Sequence, residues 1–385
     1  MSLKKIITVI GARPQIIKAA AISRAIATHF PDQLQELIVH TGQHYDENMS
    51  AVFFEELGIP TPRFNLHVGS GSHGSMTAKM LDGLSTLFSE EQPAAVLVYG
   101  DTNSTIAAAL AASKIHIPVI HVEAGLRSFN KAMPEELNRI ACDHMSTLLF
   151  SPTKAGMNNL QKEGFDLTPN KSATIDRPNI YHCGDVMYDN SLYFSKISAE
   201  KSTILAENDL KENQFILCTI HRDSNTDIAE NLTSIFKALL HIHEQHQLGV
   251  ILPLHPRTKK KMEELMDPTL LEKLSSTKGI KIIPPAGFLD IIALEKNARL
   301  MVTDSGGLQK EAFFFKKPCV ILREQTEWIE IVENGNARLA GANEQEIVSA
   351  AAALLVKEDF SYPPLFGDGE AAKFICQKIM EDLPC

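Results

Sequence analysis

No apolar run in the 385 residues reaches the ~18 that a membrane span requires. The apolar stretch Ile6–Ile10 behind the opening Met-Ser-Leu-Lys-Lys is too short for the core of a secretion signal. The expectation from both absences is a cytoplasmic protein with no membrane partner. Cysteine is scarce: the six residues (Cys142, Cys183, Cys218, Cys319, Cys376 and Cys385) contain no Cys-x-x-Cys pair, and Cys218 and Cys319 lie inside apolar runs. That usage suits a reducing compartment. Positive charge is also short, with 37 Lys and Arg against 47 Asp and Glu and a net charge of −10, which argues against a nucleic-acid partner. An anionic ligand must therefore be held by a local cluster of donors.

What is present is the pattern of a parallel sheet covered on both faces: apolar runs of four to seven residues alternating with longer segments of helical period. The candidate strands are Ile6–Ile10, Leu37–His40, Ala95–Tyr99, Val119–Val122 and Leu148–Phe150, then Phe215–Ile220, Val250–Pro253, Lys281–Ile283, Leu300–Val302 and Cys319–Leu322. Two sets of five, in a chain too long for one ordinary core, predict two domains, residues 1–190 and 191–365. A last helix, about residues 366–385, is expected to pack back on the first domain. The fold class expected is α/β, with two Rossmann-like parallel-sheet domains.

In such sheets ligands sit outside the carboxyl ends of the strands, so the residues just after each strand are the informative ones. Here they read Gly11-Ala12-Arg13-Pro14, Thr41-Gly42-Gln43-His44, Gly100-Asp101-Thr102, Glu123-Ala124-Gly125, His221-Arg222, His255-Pro256-Arg257, Asp304-Ser305-Gly306-Gly307 and Arg323-Glu324. Any one of these could be an ordinary polar turn. Eight together, mixing carboxylates with His and Arg, point to one cleft shared by the two domains.

Arg13-Pro14 opens a helix that carries Lys18 one turn in, a place where an anion could rest. Ser305-Gly306-Gly307 exposes backbone N–H groups between a buried strand and a helix, as a diphosphate cradle would, and Glu311 one turn on is placed to accept from a ribose diol. Asp101, Glu123 and Glu135-Glu136 supply carboxylates on successive elements, with Arg139 four residues beyond Glu135 on the same helical face. Gly69-Ser-Gly71-Ser-His-Gly74 matches a dinucleotide fingerprint. It follows a short, half-polar segment rather than the first clear strand, and so ranks low. The histidines His40, His44, His241, His243 and His246 lack a Cys or carboxylate framework, so no metal site is expected.

These strings resemble, in order and over nearly the whole length, the non-hydrolysing UDP-N-acetylglucosamine 2-epimerase family. They include Gly-Ala-Arg-Pro-Gln-Ile-Ile-Lys from 11, Thr-Gly-Gln-His from 41, Gly-Asp-Thr-Asn-Ser-Thr from 100 and His-Val-Glu-Ala-Gly-Leu-Arg from 121. Pro-Glu-Glu-Leu-Asn-Arg from 134, Ile-His-Arg from 220, His-Pro-Arg from 255 and Thr-Asp-Ser-Gly-Gly-Leu-Gln-Lys-Glu-Ala from 303 complete the set. The resemblance implies a GT-B-like pair of Rossmann domains, a homodimer, and a UDP-amino-sugar substrate inverted at C2 without metal or nicotinamide. It implies Asp101, Glu123, Glu135 and His221 as the catalytic set. It further implies Arg13, His221, Ser305, Gly306, Gly307 and Glu311 as UDP contacts, and Gln43, His44 and His255 as a second, regulatory UDP-sugar site; Lys18 and Arg139, from the strand-end reading, join the expected substrate contacts.

Where relatives acting on UDP-N-acetylglucosamine read Thr-Glu-Arg-Pro-Glu, this chain has Thr326-Glu327-Trp328-Ile329-Glu330. That departure, with the Ser-Phe-Asn-x-x-Met-Pro-Glu-Glu run at 128–136, resembles the branch acting on UDP-2,3-diacetamido-2,3-dideoxyglucuronate. The branch stays open as an alternative. A GT-B glycosyltransferase, a nicotinamide-linked oxidoreductase and a non-catalytic UDP-sugar sensor are the readings from other classes.

Overall fold

The computed structural model describes residues 3–42, 54 and 58–383. The chain divides into two units, residues 1–190 with 364–385, and residues 191–363. In the first unit the order is β1 (Lys4–Ile10), α1 (Arg13–His29), β2 (Leu34–His40), β3 (Phe64–Asn65), α2 (His73–Glu91), β4 (Ala95–Tyr99) and α3 (Asn103–Lys114). There follow β5 (Val119–Val122), α4 (Pro134–His144), β6 (Leu148–Ser151), α5 (Lys154–Lys162), β7 (Asn179–His182) and α6 (Val186–Lys201), within which the chain passes to the second unit. Its strands pair in parallel in the order β3-β2-β1-β4-β5-β6-β7.

β4 is buried at all five positions, as a strand covered on both faces must be. The alanines Ala107–Ala109, Ala111 and Ala112 give α3 a small-residue surface against the sheet core, where they are almost wholly buried. α3 starts at Thr102, whose side chain accepts from Thr105 N.

The second unit runs α7 (Ile204–Glu207), β8 (Phe215–Thr219), α8 (Asp223–Thr226), α9 (Ala229–His246), β9 (Gly249–Pro253), α10 (Pro256–Leu265), α11 (Pro268–Ser276) and β10 (Ile280–Ile283). It continues with α12 (Phe288–Asn297), β11 (Leu300–Thr303), α13 (Gly306–Phe314), β12 (Cys319–Ile321), α14 (Ile329–Glu333), β13 (Ala337–Leu339) and α15 (Glu344–Val356). The strands lie parallel in the order β10-β9-β8-β11-β12-β13, a doubly wound arrangement that reverses direction between β8 and β11. The first sheet reverses at the equivalent place, between β1 and β4, where Ile6 stands beside Ala95.

The two sets of five expected strands become seven and six. β3, β7 and β13 were not among the expected strands, and each lies at the edge of its sheet. Edge strands pair on one side only and are short and partly polar here, so they carry no apolar run to read. The fingerprint-like segment Gly69–Gly74 follows β3 and opens α2, and β3 is an edge strand rather than the central one a dinucleotide corner uses. Among the described residues no helix is long and apolar enough to cross a membrane.

The last helix, α16 (Ala371–Asp382), belongs to the first unit and packs on α1. Its buried residues Ala371, Ala372, Ile375, Cys376 and Ile379 form one stripe of helical period. Asp189 on α6 accepts from Ala371 N and Ala372 N at its start (3.2 and 2.7 Å). At its end the buried Lys4 ammonium donates to the carbonyls of Met380 and Leu383 (2.9 and 2.6 Å). Lys4→Met removes the donor from both carbonyls and should cost about 1–3 kcal/mol. The expected result is earlier proteolytic cleavage before α16 than in the unaltered protein; an unchanged cleavage pattern and melting temperature would show that the lysine is not what anchors the helix.

Candidate active site

At the carboxyl end of β1 the chain must turn within Gly11-Ala12 to start α1, and the room there is small. A β-carbon on Gly11 would come within 2.1 Å of Ser104 Oγ and 2.3 Å of Thr41 Oγ1. Gln15, almost wholly buried, fixes the corner: its carbonyl accepts from Gly11 N (2.9 Å) and Ala12 N (3.2 Å). Its amide donates to Tyr99 O (3.0 Å) and Thr105 Oγ1 (3.1 Å). One side chain thus ties the β1 turn to the β4 turn across the point where the sheet reverses. Arg13 and Pro14 are exposed at the start of α1.

Lys18, on the next turn, forms an ion pair with Glu123, and both are largely buried. Glu123 adopts a left-handed backbone (φ 72°) directly after β5, and Gly100 after β4 does the same (φ 60°). A β-carbon on Gly100 would lie 3.2 Å from Glu123 Oε2 and 3.4 Å from Lys18 Nζ, so these groups meet at one spot. The next residue, Asp101, pairs with Arg139 of α4, and Asn138 Nδ2 donates to the Asp101 carbonyl (2.9 Å). The structure therefore brings together Lys18, Glu123, Asp101 and Arg139 at the ends of β4 and β5.

The two glutamates of α4 separate. Glu135 is exposed in the first helical turn, whereas Glu136 is 1% exposed and accepts from Ser128 N (2.9 Å), Ser128 Oγ (3.0 Å) and Phe129 N (2.9 Å). Arg139 reaches Glu136 at 3.3 Å and also pairs with Asp101, whereas the expectation had set it with Glu135 four residues before it. Glu136 is a structural group that the Pro-Glu-Glu spacing left undistinguished, because helix phase alone decides which glutamate turns inward.

In the second unit the strand β11 is followed directly by Asp304, which is fully buried. Its carboxylate accepts from His221 Nδ1 (2.8 Å), His221 N, Arg222 N (3.0 Å) and Asn225 Nδ2 (3.1 Å). Burial works to raise the Asp304 pKa, but these donors outweigh it and hold the carboxyl below its usual range. With Nδ1 engaged, the half-exposed His221 ring presents Nε2 outward. Asp304 stood among the strand-end residues without a role of its own, and Asn225 was not singled out; an acid directly after a buried strand was the available signal.

Ser305 caps α13, its hydroxyl accepting from Leu308 N (3.4 Å), and Gly306 and Gly307 form the open start of that helix. Glu311 Oε2 lies 4.0 Å from where a Gly307 β-carbon would stand, so its carboxyl leans over the helix start. Behind the glycines, the Trp328 indole donates to Gly306 O (3.0 Å), with the Lys310 ammonium 4.2 Å from its ring centre. Arg323 and Glu327 form an ion pair with both N–O distances 2.9 Å, beside Gly306. Trp328, 6% exposed, is thus fastened to the glycine turn itself.

His255 follows β9 and caps α10 by accepting from Arg257 N (3.3 Å). Gln43 and His44 lie outside the described residues.

Two Rossmann-type parallel sheets with polar strand ends, one of them leading into a glycine-lined helix start, define a two-domain α/β protein of Rossmann-like class. A family model described as UDP-N-acetylglucosamine 2-epimerase matches residues 27–380. A "UDP-N-acetylglucosamine 2-epimerase homolog" of Methanococcus maripaludis is 46% identical over 96% of this chain and 97% of its own length. The UDP-2,3-diacetamido-2,3-dideoxy-D-glucuronate 2-epimerase of Pseudomonas aeruginosa is also 46% identical, over 97% and 98%. The crystal structure of Methanocaldococcus jannaschii UDP-GlcNAc 2-epimerase in complex with UDP-GlcNAc and UDP matches with a TM-score of 0.82 at 41% identity, covering 97% of this chain and 99% of that one. The chain belongs to the UDP-N-acetylglucosamine 2-epimerase family.

One buried acid near the site was not legible as functional. Glu295 on α12 is fully buried, neither of its oxygens meets a hydrogen-bond donor among the described residues, and the Glu311 carboxyl acts on it. Burial first, and Glu311 second, push its pKa well above the ordinary value. Below the unfolded pKa of about 4.3 the group is protonated in both states and costs nothing; as pH rises the unfolded chain gives up the proton more readily, so stability falls. Glu295→Gln removes that dependence. Its melting temperature should match the unaltered protein near pH 4.5 and exceed it by about 2–4 °C at pH 8; a gap that does not grow with pH would mean that Glu295 titrates normally.

Proposed function

We propose that the protein is a non-hydrolysing UDP-N-acetylglucosamine 2-epimerase that interconverts UDP-GlcNAc and UDP-ManNAc for surface-polysaccharide precursor synthesis. On this reading it works in the cytoplasm as a homodimer. The observation that carries the reading is the pair of carboxylates Asp101 and Glu123 at adjacent strand ends, each matched to a cation, in a chain that also has the Ser305-Gly306-Gly307 helix start.

The C2 proton of the sugar has no neighbouring carbonyl, so its removal alone would leave an unstabilised carbanion. Loss of UDP from C1 in the same process solves this. The C2–H electron pair becomes a C1=C2 double bond, the C1–O bond breaks with its pair passing to UDP, and the product is a 2-acetamidoglycal. Returning a proton to C2 from the opposite face while a UDP oxygen re-adds to C1 gives the epimer. No net oxidation occurs, so the scheme calls for neither metal nor nicotinamide.

Two acid/base groups are needed. Asp101 and Glu135 are assigned those roles: both oxygens of Glu136 are taken by Ser128, Phe129 and Arg139, while Glu135 is exposed. Glu123 with Lys18 supports them, and Arg139 aims Asp101. Ser305, Gly306 and Gly307 hold the diphosphate, Glu311 the ribose, and His221 with Arg13 stabilises the charge on departing UDP. His255, together with Gln43 and His44, is assigned to a second UDP-sugar site that regulates.

The uronate branch is the second reading, favoured by Trp328 against the Gly306 turn and by the equal identity of the Pseudomonas relative. Each candidate UDP-sugar incubated alone with the enzyme in deuterated water, followed by proton NMR, separates the two by which C2 proton exchanges. Asp101→Asn should lower that exchange by about 100–10,000-fold with UDP affinity unchanged. Exchange retained in this variant would remove Asp101 from the chemistry.

A further inference from the structure

A histidine stands in the middle of the buried strand β5, where its neighbours Val119, Ile120 and Val122 are apolar and no substrate could reach it. His121 is fully buried. Its Nδ1 lies 2.7 Å from Asp143 Oδ1 and its Nε2 lies 2.8 Å from the carbonyl oxygen of Gly100. A carbonyl can only accept. Asp143 also behaves as an acceptor on every side, taking Gly125 N at 3.1 Å and the Arg127 guanidinium at 2.7 Å on its other oxygen. Both ring nitrogens of His121 therefore carry hydrogen, and the ring is an imidazolium.

The charges form a row that runs from the buried His121, Asp143 and Arg127 out to the exposed Glu163. Arg127 continues to Glu163 through two contacts of 2.7 and 2.6 Å, so that His121, Asp143, Arg127 and Glu163 alternate in sign. Facing His121 are Cys142 and Asp143 from α4 and the Gly100 carbonyl from the end of β4; Arg127 acts through Asp143. Burial opposes a charge on His121, but Cys142 and Asp143 outweigh it and hold its pKa well above the ordinary value. For Asp143, burial is likewise outweighed, by His121 and Arg127.

The two ends of this set grip two turns. Gly100, held by His121, directly precedes Asp101; Gly125, held by Asp143, is two residues after Glu123. Gly100, Glu123 and Gly125 all have positive φ, at 60°, 72° and 79°, a backbone that does not hold itself in place for a glutamate. We propose that His121 and Asp143 are positioning residues, a permanently charged clamp that fixes the aim of Asp101 and Glu123 toward the reacting carbon. The inference rests on the functional reading above for what those carboxylates do, and on the hydrogen-bond geometry alone for the clamp.

The test has two arms, both on the full-length protein. With 15N-labelled histidine, and His121 assigned by comparison with His121→Gln, the two ring nitrogens of His121 should keep the imidazolium signature from pH 6 to 9. A neutral ring at pH 7.5 would overturn the proposal, and this arm needs no folded Asp143 variant. In the second arm, Asp143→Asn should lower kcat for C2 exchange roughly 100-fold at pH 8 with little change in KM. Part of the rate should return toward pH 6, where the ring regains its proton, and Asp143→Glu should restore more of it than Asn. A loss that is flat with pH, or one that falls on KM instead, would make the pair merely structural. If no UDP-sugar exchanges with the unaltered protein, the functional reading fails while the nitrogen signature still decides the clamp.

Discussion

An ionised carboxylate inside a protein must be surrounded by donors, and the groups that satisfy it lose their freedom. Each unit of this protein applies that constraint to a fully buried aspartate beside its strand ends, Asp143 on α4 and Asp304 directly after β11. In the first, fully buried Asp143 collects His121, Arg127 and the Gly125 amide. In the second, fully buried Asp304 collects His221, the His221 and Arg222 amides and Asn225. The outcome differs in one respect that matters for chemistry. His121 is sealed inside with both nitrogens engaged, whereas His221 is half exposed with one nitrogen turned outward. The first histidine can only hold a loop, and the second can meet a ligand.

From these fixed points the rest of the site follows. Gln15 joins the β1 and β4 turns, so Arg13 and Lys18 start from a rigid corner. Lys18 then meets Glu123, and Arg139 meets Asp101, so the two carboxylates stand at neighbouring strand ends without leaving an unpaired negative pair. On the second sheet the glycine turn is backed by Trp328 and the Arg323–Glu327 pair, while Glu311 leans over it with Glu295 buried behind. Rigid backing of this kind lets a helix start present its N–H groups to an anion without reorganising.

Much of this was legible in the chain. Strands covered on both faces announce themselves as apolar runs, and the polar residues that follow them mark the ligand end, which is how Asp101, Glu123, His221 and Ser305 could be singled out. The edge strands β3, β7 and β13 gave no such run. Helix phase hid the difference between Glu135 and Glu136, since both follow Pro134 and only the folded α4 shows which one Ser128 and Phe129 engage. The His121–Asp143 contact joins residues 22 apart and has no local signature. Glu295 did leave a trace, as a charged residue within the apolar stretch of α12 beside Leu294, but a single acid there reads as easily as a surface position.

In the proposed reaction UDP leaves C1 when C2 loses its proton. Positional isotope exchange reads that directly: UDP-sugar carrying 18O in the bridge between C1 and the β-phosphate is incubated with the enzyme, and recovered substrate is analysed by phosphorus NMR. Migration of the label to non-bridging positions of the β-phosphate, keeping pace with epimerisation, is the expected result. Epimerisation with the label still in the bridge would contradict it, because the carbon–oxygen bond would never have broken.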